Sequence, residues 1–302
     1  MLSKEEVINR LKLVQDYICE KLEVLDGQAK FHEDNWLREE GGGGRTRILS
    51  DGAIIEKGGV NFSAVHGPVS EAMKKQLGLD GNEFLATGVS IVIHPKNPFH
   101  PIMHMNVRYF EMDTGEYWFG GGIDMTPHYI DFQKAAMFHK DLKEVCDQYH
   151  SDFYPRFKKW ADDYFYIPHR NETRGVGGIF YDRLTEKDGI SKEQLLNYAI
   201  DLGELFPKVY TDQINADRSP NYTESNEEWR NLRRGRYVEF NLVHDRGTKF
   251  GLKTGGRIES ILMSLPKNAS WLYDFRPQKD SKEEETQNWL KKDVDWLNAT
   301  LK

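Results

Sequence analysis

Cysteine is almost missing from this chain. Cys19 and Cys146 are the only two in 302 residues, far apart and outside any CxxC spacing, so no disulfide framework is built in and a reducing compartment fits. Long apolar runs are missing too, and nothing approaches the ~20 residues that cross a bilayer. Basic charge is in deficit: 41 Lys and Arg stand against 48 Asp and Glu, a net charge of −7. That leaves no basic stripe to neutralise phosphates and argues against a general nucleic-acid binder. A Ser-His-Asp elbow, a GxGxxG after a strand and a thiol pair are all absent, which removes support for nucleophilic hydrolysis and nicotinamide chemistry. The start, Met-Leu-Ser-Lys-Glu-Glu, matches neither a secretory signal nor an acid-poor transit peptide, and the expected location is cytoplasmic.

What is present falls into ordered blocks. Val7, Ile8, Leu11, Val14, Ile18, Leu22 and Leu25 recur at helical spacing and predict an N-terminal helix within residues 1–30, ending at Asp26-Gly27. Gly41 to Gly44 follow. They read equally well as a flexible linker or as a mobile segment that swings Arg45 and Arg47 onto a carboxylate; with Arg-Thr-Arg after them they do not make a Walker loop. From Ile48 to about Phe119 extended runs alternate with the turns Asp51-Gly52, Lys57-Gly58-Gly59, Pro95-Lys96-Asn97-Pro98 and Asp113-Thr114-Gly115, and such short connections imply an antiparallel sheet. Helices are expected over 131–150, 152–166 and 191–205, strands over 179–181 and 236–244, and a Trp-rich amphipathic helix over 283–297. No repeat or boundary breaks this order, so residues 1–302 are expected to form a single α+β domain.

The chemistry concentrates on one strand, Ile102 to Phe110. Alternation puts His104, Asn106 and Arg108 on one face and Met103, Met105, Val107 and Tyr109 on the other. One face packs, and the other offers a histidine, an amide and a guanidinium to an anionic, partly apolar ligand. Gly120-Gly121-Gly122 then let backbone and Asp124 come close. Arginines beside glycines recur at Arg174-Gly175, Arg246-Gly247 and Gly255-Gly256-Arg257. Guanidinium forks hold carboxylates bidentately, so together with Arg108 they favour a polyanionic ligand. Four of the ten histidines, His94, His100, His104 and His128, fall in one short region. Their spacing crosses a Pro-rich turn and lacks fixed helical geometry, a weak metal signal, although His94, His104 and Asp124 can be drawn as two histidines and a carboxylate.

Five segments resemble, in order, the oxygen-dependent coproporphyrinogen III oxidases: GGGGRTRILSDGAIIEKGGVNFSAVHG, HPKNPFHPIMHMNVRYFE, WFGGGIDMTPHYI, RGVGGIFYDRL and RGRYVEFNLVHDRGTKFGLKTGGRIESILMSLP. The resemblance runs from about Asn35 to Arg276. It implies a large flat antiparallel sheet covered by helices on both faces and a homodimer joined through residues 237–272. The implied reaction uses O2, without an organic cofactor, to turn two propionates of coproporphyrinogen III into vinyl groups. His104 matches the proton donor, and Ser90, Asn106, Val107, Arg108, Gly255, Gly256 and Arg257 match substrate-binding positions. His94, His104, His139 and His169 match positions sometimes assigned to a divalent metal. Joined to the residue reading, Asp124 is expected to meet pyrrole N–H groups, and Arg108 and Arg174 to grip the reacting propionate. Two other readings use the same residues: a metal-dependent oxygenase built on His94, His104 and a carboxylate, and a tetrapyrrole carrier without chemistry.

Overall fold

Period-two alternation of apolar residues specifies strands with one buried face, and the computed structural model realises it as one seven-stranded antiparallel sheet. It describes residues 2–300 apart from positions 72, 75–77, 79–80, 216–219 and 254. The strands are β1 (His32–Leu37), β2 (Gly42–Ser50), β3 (Ile55–Pro68), β4 (Glu83–Pro95), β5 (Ile102–Met112), β6 (Tyr117–Thr126) and β9 (Gly178–Leu184). Their spatial order is β1-β2-β3-β4-β5-β6-β9, every neighbour antiparallel. Each of β2 to β6 thus pairs with its predecessor in the chain, as short turn-forming connections dictate. A separate two-stranded ribbon joins β7 (Tyr166–Ile167) to β8 (Glu172–Thr173).

Helices cover both faces. On one side α1 (Lys4–Asp26), α2 (Phe132–Tyr149) and α4 (Lys192–Asn215) pack against Met103, Met105, Val107 and Tyr109, all essentially inaccessible, in a core that reaches from Val7 to Trp296. The first helix begins at an N-cap, Ser3, whose side chain accepts from Glu6 N, and ends at Gly27 in the left-handed conformation. α3 (Phe153–Tyr164) packs on β9. On the other side lie α5 (Glu224–Glu239), a π-helical turn (Phe240–His244), α6 (Arg246–Lys253) and α7 (Ile258–Leu262). They reach the sheet through Tyr237 against Val92 and Ile102, and through Ser260 bonded to Thr46 and Asn61. α8 (Lys282–Trp289) lies near the C-terminus.

Three sequence expectations are corrected. Residues 236–244 are helical rather than extended: Arg236 and Tyr237 sit in the last turns of α5, and the chain continues into the π turn. The closing helix stops at Trp289 instead of Leu297, with Leu290 as its C-cap. The glycine run is neither a linker nor a mobile arm, because Gly42 pairs with β3 and Gly43 and Gly44 pair on both sides within β2. An added methyl on Gly44 would lie 2.3 Å from the Trp36 indole, so glycine here admits a cross-strand tryptophan. Arg45 and Arg47 point away, toward α1, and are neutralised by Asp16 of α1 and Glu33 of β1.

Candidate active site

Strand register builds the site on the face opposite the main core. Across it runs a row of small polar side chains, Asp34, Thr46, Asn61, Ser90 and Asn106, ending at Gly122. The next row contains Gly44, Ser63, Gly88, Arg108 and Gly120. On β4 to β6 little but Arg108 stands up from these two rows, whereas on β1 to β3 Trp36 shares the second row and Ser260 of α7 sits on Thr46 and Asn61. An added methyl at Gly120 would lie 2.8 Å from Arg108 Nε and 2.7 Å from Asp182 Oδ1; the glycine gives the Arg108 guanidinium room to lie down on the sheet. Arg108 pairs with Asp182 at 3.0 Å and remains 39% exposed. At the far end Arg257 donates to Asp34 and to Ser260 Oγ and lies over the Trp36 ring. From β1, where Asp34 stands, to β5 there are four strand spacings, or ~19 Å. The strip between them, with an arginine toward each end and Ser260 of α7 over Thr46 and Asn61, is the candidate substrate face, termed the groove.

His104 stands in the third row, directly opposite Asp124. Asp124 is 1% exposed and accepts from His104 Nδ1 at 2.8 Å, Arg174 Nη2 at 2.7 Å and Arg174 Nε at 2.8 Å. Burial alone pushes this carboxyl up, but the Arg174 guanidinium, helped by His104, overrides that and holds it below the ordinary carboxylate value. An ionised Asp124 cannot donate, so the proton of the shared bond sits on His104 Nδ1, leaving Nε2 as the other ring nitrogen. Among the described residues Nε2 has no hydrogen-bond partner, and the side chain is 24% exposed. Arg174 is buried against the faces of Phe165, Tyr237 and Phe240, each ring centre 4.5–4.7 Å from its guanidinium carbon. Its Nη1 donates to Asn241 Oδ1 at 2.8 Å.

Several expected site residues are therefore placed differently. Asp124 and Arg174 are closed around each other in this structure, and neither opens onto the groove to meet a pyrrole N–H or a propionate. The Val107 side chain lies in the core, so it can offer a ligand only backbone. Ser90 and Asn106 do lie side by side on the groove face. Gly255, with φ +74°, and Gly256 form the turn that leads into Arg257 and α7.

The four histidines expected as a metal set do not come together. His94 is buried, bonded to Ser264 O and edge-on to Tyr237. His139 is buried in α2, on the opposite side of the sheet, between Tyr154 Oη and Val176 O. His169 is exposed and bonded to His244 and Glu239. Among the described residues no three His, Cys, Asp or Glu side chains converge as a metal would require. The donor sets present do not fit a shared ion.

The groove, its terminal arginines and the Asp124-held histidine all lie within segments that a single family profile covers: the profile described as Coproporphyrinogen III oxidase matches residues 6–296. The chain belongs to that family. It is 48% identical to a mitochondrial oxygen-dependent coproporphyrinogen-III oxidase of Rattus norvegicus over 298 residues, covering 94% of this chain and 67% of the rat protein. It is 48% identical to the chloroplastic coproporphyrinogen-III oxidase 1 of Arabidopsis thaliana over 288 residues, covering 90% of this chain and 74% of the plant protein. Against the oxygen-dependent coproporphyrinogen-III oxidase of Prochlorococcus marinus (strain MIT 9312) identity is 44% over 320 residues, with 98% and 93% covered. Among the described residues no helix is long and apolar enough to cross a membrane.

Sequence reasoning missed Thr46 and Asn61 in the polar row, Asp182 behind Arg108, and the enclosure of Arg174 by Phe165, Tyr237, Phe240 and Asn241. Tyr237, Phe240 and Asn241 are spaced i, i+3, i+4 and share a helix face. Reading 236–244 as helical would have exposed them.

Proposed function

We propose that this protein is an oxygen-dependent coproporphyrinogen oxidase, converting two propionates of coproporphyrinogen III to vinyl groups and yielding protoporphyrinogen IX for heme biosynthesis. The observation that carries the reading is one sheet face that has an arginine toward each end and, beside them, a histidine whose Nδ1 is fixed by a buried carboxylate. Each propionate loses CO2 and two hydrogens, and O2 accepts those two electrons and hydrogens as hydrogen peroxide. An electron-rich porphyrinogen can supply the electrons itself. The protein's tasks are to hold carboxylates, orient the ring and manage protons.

Arg108 and Arg257 take propionates by exchanging their carboxylate partners, Asp182 and Asp34, for substrate. Ser90 and Asn106 face the ring body, with the backbone of Val107 and of Gly255-Gly256 as further contacts. His104 Nε2 delivers or takes the proton. Asp124 and Arg174 act through His104: they fix its tautomer and face, and they keep a charge-balanced pair in a site with little water. The cytoplasm suits the two unpaired cysteines, both buried and their thiols pushed up to about 12 by burial. A homodimer through residues 237–272 is supported by the exposed Leu242, Val243, Leu252, Ile258, Trp271 and Leu272 on that segment.

The test is O2 uptake and vinyl product from coproporphyrinogen III under strict chelation, with metal content followed in the same sample. Turnover in metal-free enzyme is expected. Activity that disappears with chelator and returns only with added metal favours the metal-dependent oxygenase. Tight tetrapyrrole binding without O2 uptake favours the carrier.

A further inference from the structure

We propose that Asn241 is a positioning residue for His104, acting through Arg174 and Asp124; the inference rests on the reaction assigned above. Arg174 presents three nitrogens to fixed partners. Two go to Asp124, and the third, Nη1, goes to Asn241 Oδ1 at 2.8 Å. The rings of Phe165, Tyr237 and Phe240 surround the guanidinium but hold it without direction, so its orientation rests on its hydrogen bonds. The acceptor at Nη1 adds a third fixed point to the two-point fork on Asp124, and so steadies where Asp124 Oδ1 lies for His104 Nδ1.

The backbone around Asn241 is shaped to deliver that acceptor. Asn241 is buried, as is Phe240, whereas the next residues, Leu242 and Val243, are exposed. The widened turn closes with Asp245 N bonded to Phe240 O, five residues back. Single π turns concentrate at functional sites because they re-aim side chains within a helix. Here the turn continues α5 just where Tyr237, Phe240 and Asn241 meet Arg174.

The experiment uses the full chain with Asn241→Leu, which keeps size and removes the acceptor, and Asn241→Asp, which keeps it. Two readouts are followed: steady-state kinetics with coproporphyrinogen III, and the downfield proton NMR signal of the His104 Nδ1–H bonded to Asp124, assigned by its loss in His104→Gln. In Asn241→Leu, kcat falls about tenfold or more with KM within about threefold, an effect of the size seen when residues supporting active-site ligands are removed, and the His104 signal moves or broadens. Asn241→Asp restores the signal and most of kcat. If Asn241→Leu does not fold, Asn241→Ser, whose hydroxyl is too short to reach Nη1, carries the same expectation. An unchanged His104 signal in a folded variant lacking the acceptor overturns the inference whatever happens to kcat. Wild-type enzyme inert toward coproporphyrinogen, with a His104 signal that still responds to Asn241→Leu, would sink the reaction assignment and leave the positioning role standing.

Discussion

The buried pair of Asp124 and Arg174 should behave as a unit whose halves cannot be removed one at a time. At 2.7 Å and an effective dielectric of 20 the two charges attract by ~6 kcal/mol before desolvation is counted. Both side chains are at most 2% exposed, so deleting one strands the other away from water. Such losses run to ~3–5 kcal/mol, whereas removing both charges together is far milder. Asp124→Asn and Arg174→Met should each lower unfolding free energy by that amount, and the double variant by at least ~2 kcal/mol less than the two single losses combined. Denaturant unfolding at pH 7 measures all four proteins. Turnover supplies the second half of the test: the double variant regains stability but not activity, because His104 Nδ1 still lacks its carboxylate. Losses additive within ~0.5 kcal/mol would refute the coupling. Recovered activity in the double variant would refute the role of Asp124 toward His104.

The two arginines that looked alike in the sequence should separate kinetically: Arg108→Lys raises KM for coproporphyrinogen with kcat nearly kept, while Arg174→Lys lowers kcat with KM nearly kept, and the reverse pattern would exchange their roles. Gly120→Ala places a methyl against Arg108 and Asp182 and should raise KM about tenfold, equivalent to ~1.4 kcal/mol of binding; an unchanged KM would mean that Arg108 does not hold substrate in this pose. His139 is pushed down to about 4 by burial. A depressed histidine gives stability that is complete above its unfolded value near 6.5 and is lost as pH falls toward 4, about 3 kcal/mol in all. His139→Gln should flatten the dependence of unfolding free energy on pH across that window, leaving the part that His94 and His128, shifted the same way, also impose. Leu242→Asp with Trp271→Asp should give a monomer in sedimentation; a persisting dimer would move the interface elsewhere.

The parts legible in the sequence were those where local pattern and tertiary environment agree. β5 alternates because one face is core and the other groove, so period two reports both packing and site. β1, His-Glu-Asp-Asn-Trp-Leu, was invisible because an edge strand with five of its six residues polar or aromatic offers no apolar alternation, and its pairing is dictated by β2. The end of α5 was misread, and the rest of it passed over, for a different reason. Its inward positions include Arg230, Arg233, Arg234 and Arg236, all buried, and a helix that buries arginines shows no apolar stripe. Arg234 is held by Glu56 and Pro95 O, and Arg233 by Glu172, partners that lie far away in sequence.

The same distance limits what a motif can say about arginine. Glycine beside Arg174 correctly signalled close backbone packing, but whether the guanidinium meets a ligand or a protein carboxylate depends on Asp124, 50 positions earlier, and on rings supplied by two other elements. Exposure then separates the roles: Arg108 at 39% can trade Asp182 for a propionate, whereas Arg174 at 2% would have to open an aromatic box first. A buried ion pair of this kind contributes little net stability over an apolar substitute. What it fixes is a histidine with one ring nitrogen committed and the other, among the described residues, left without a protein hydrogen-bond partner.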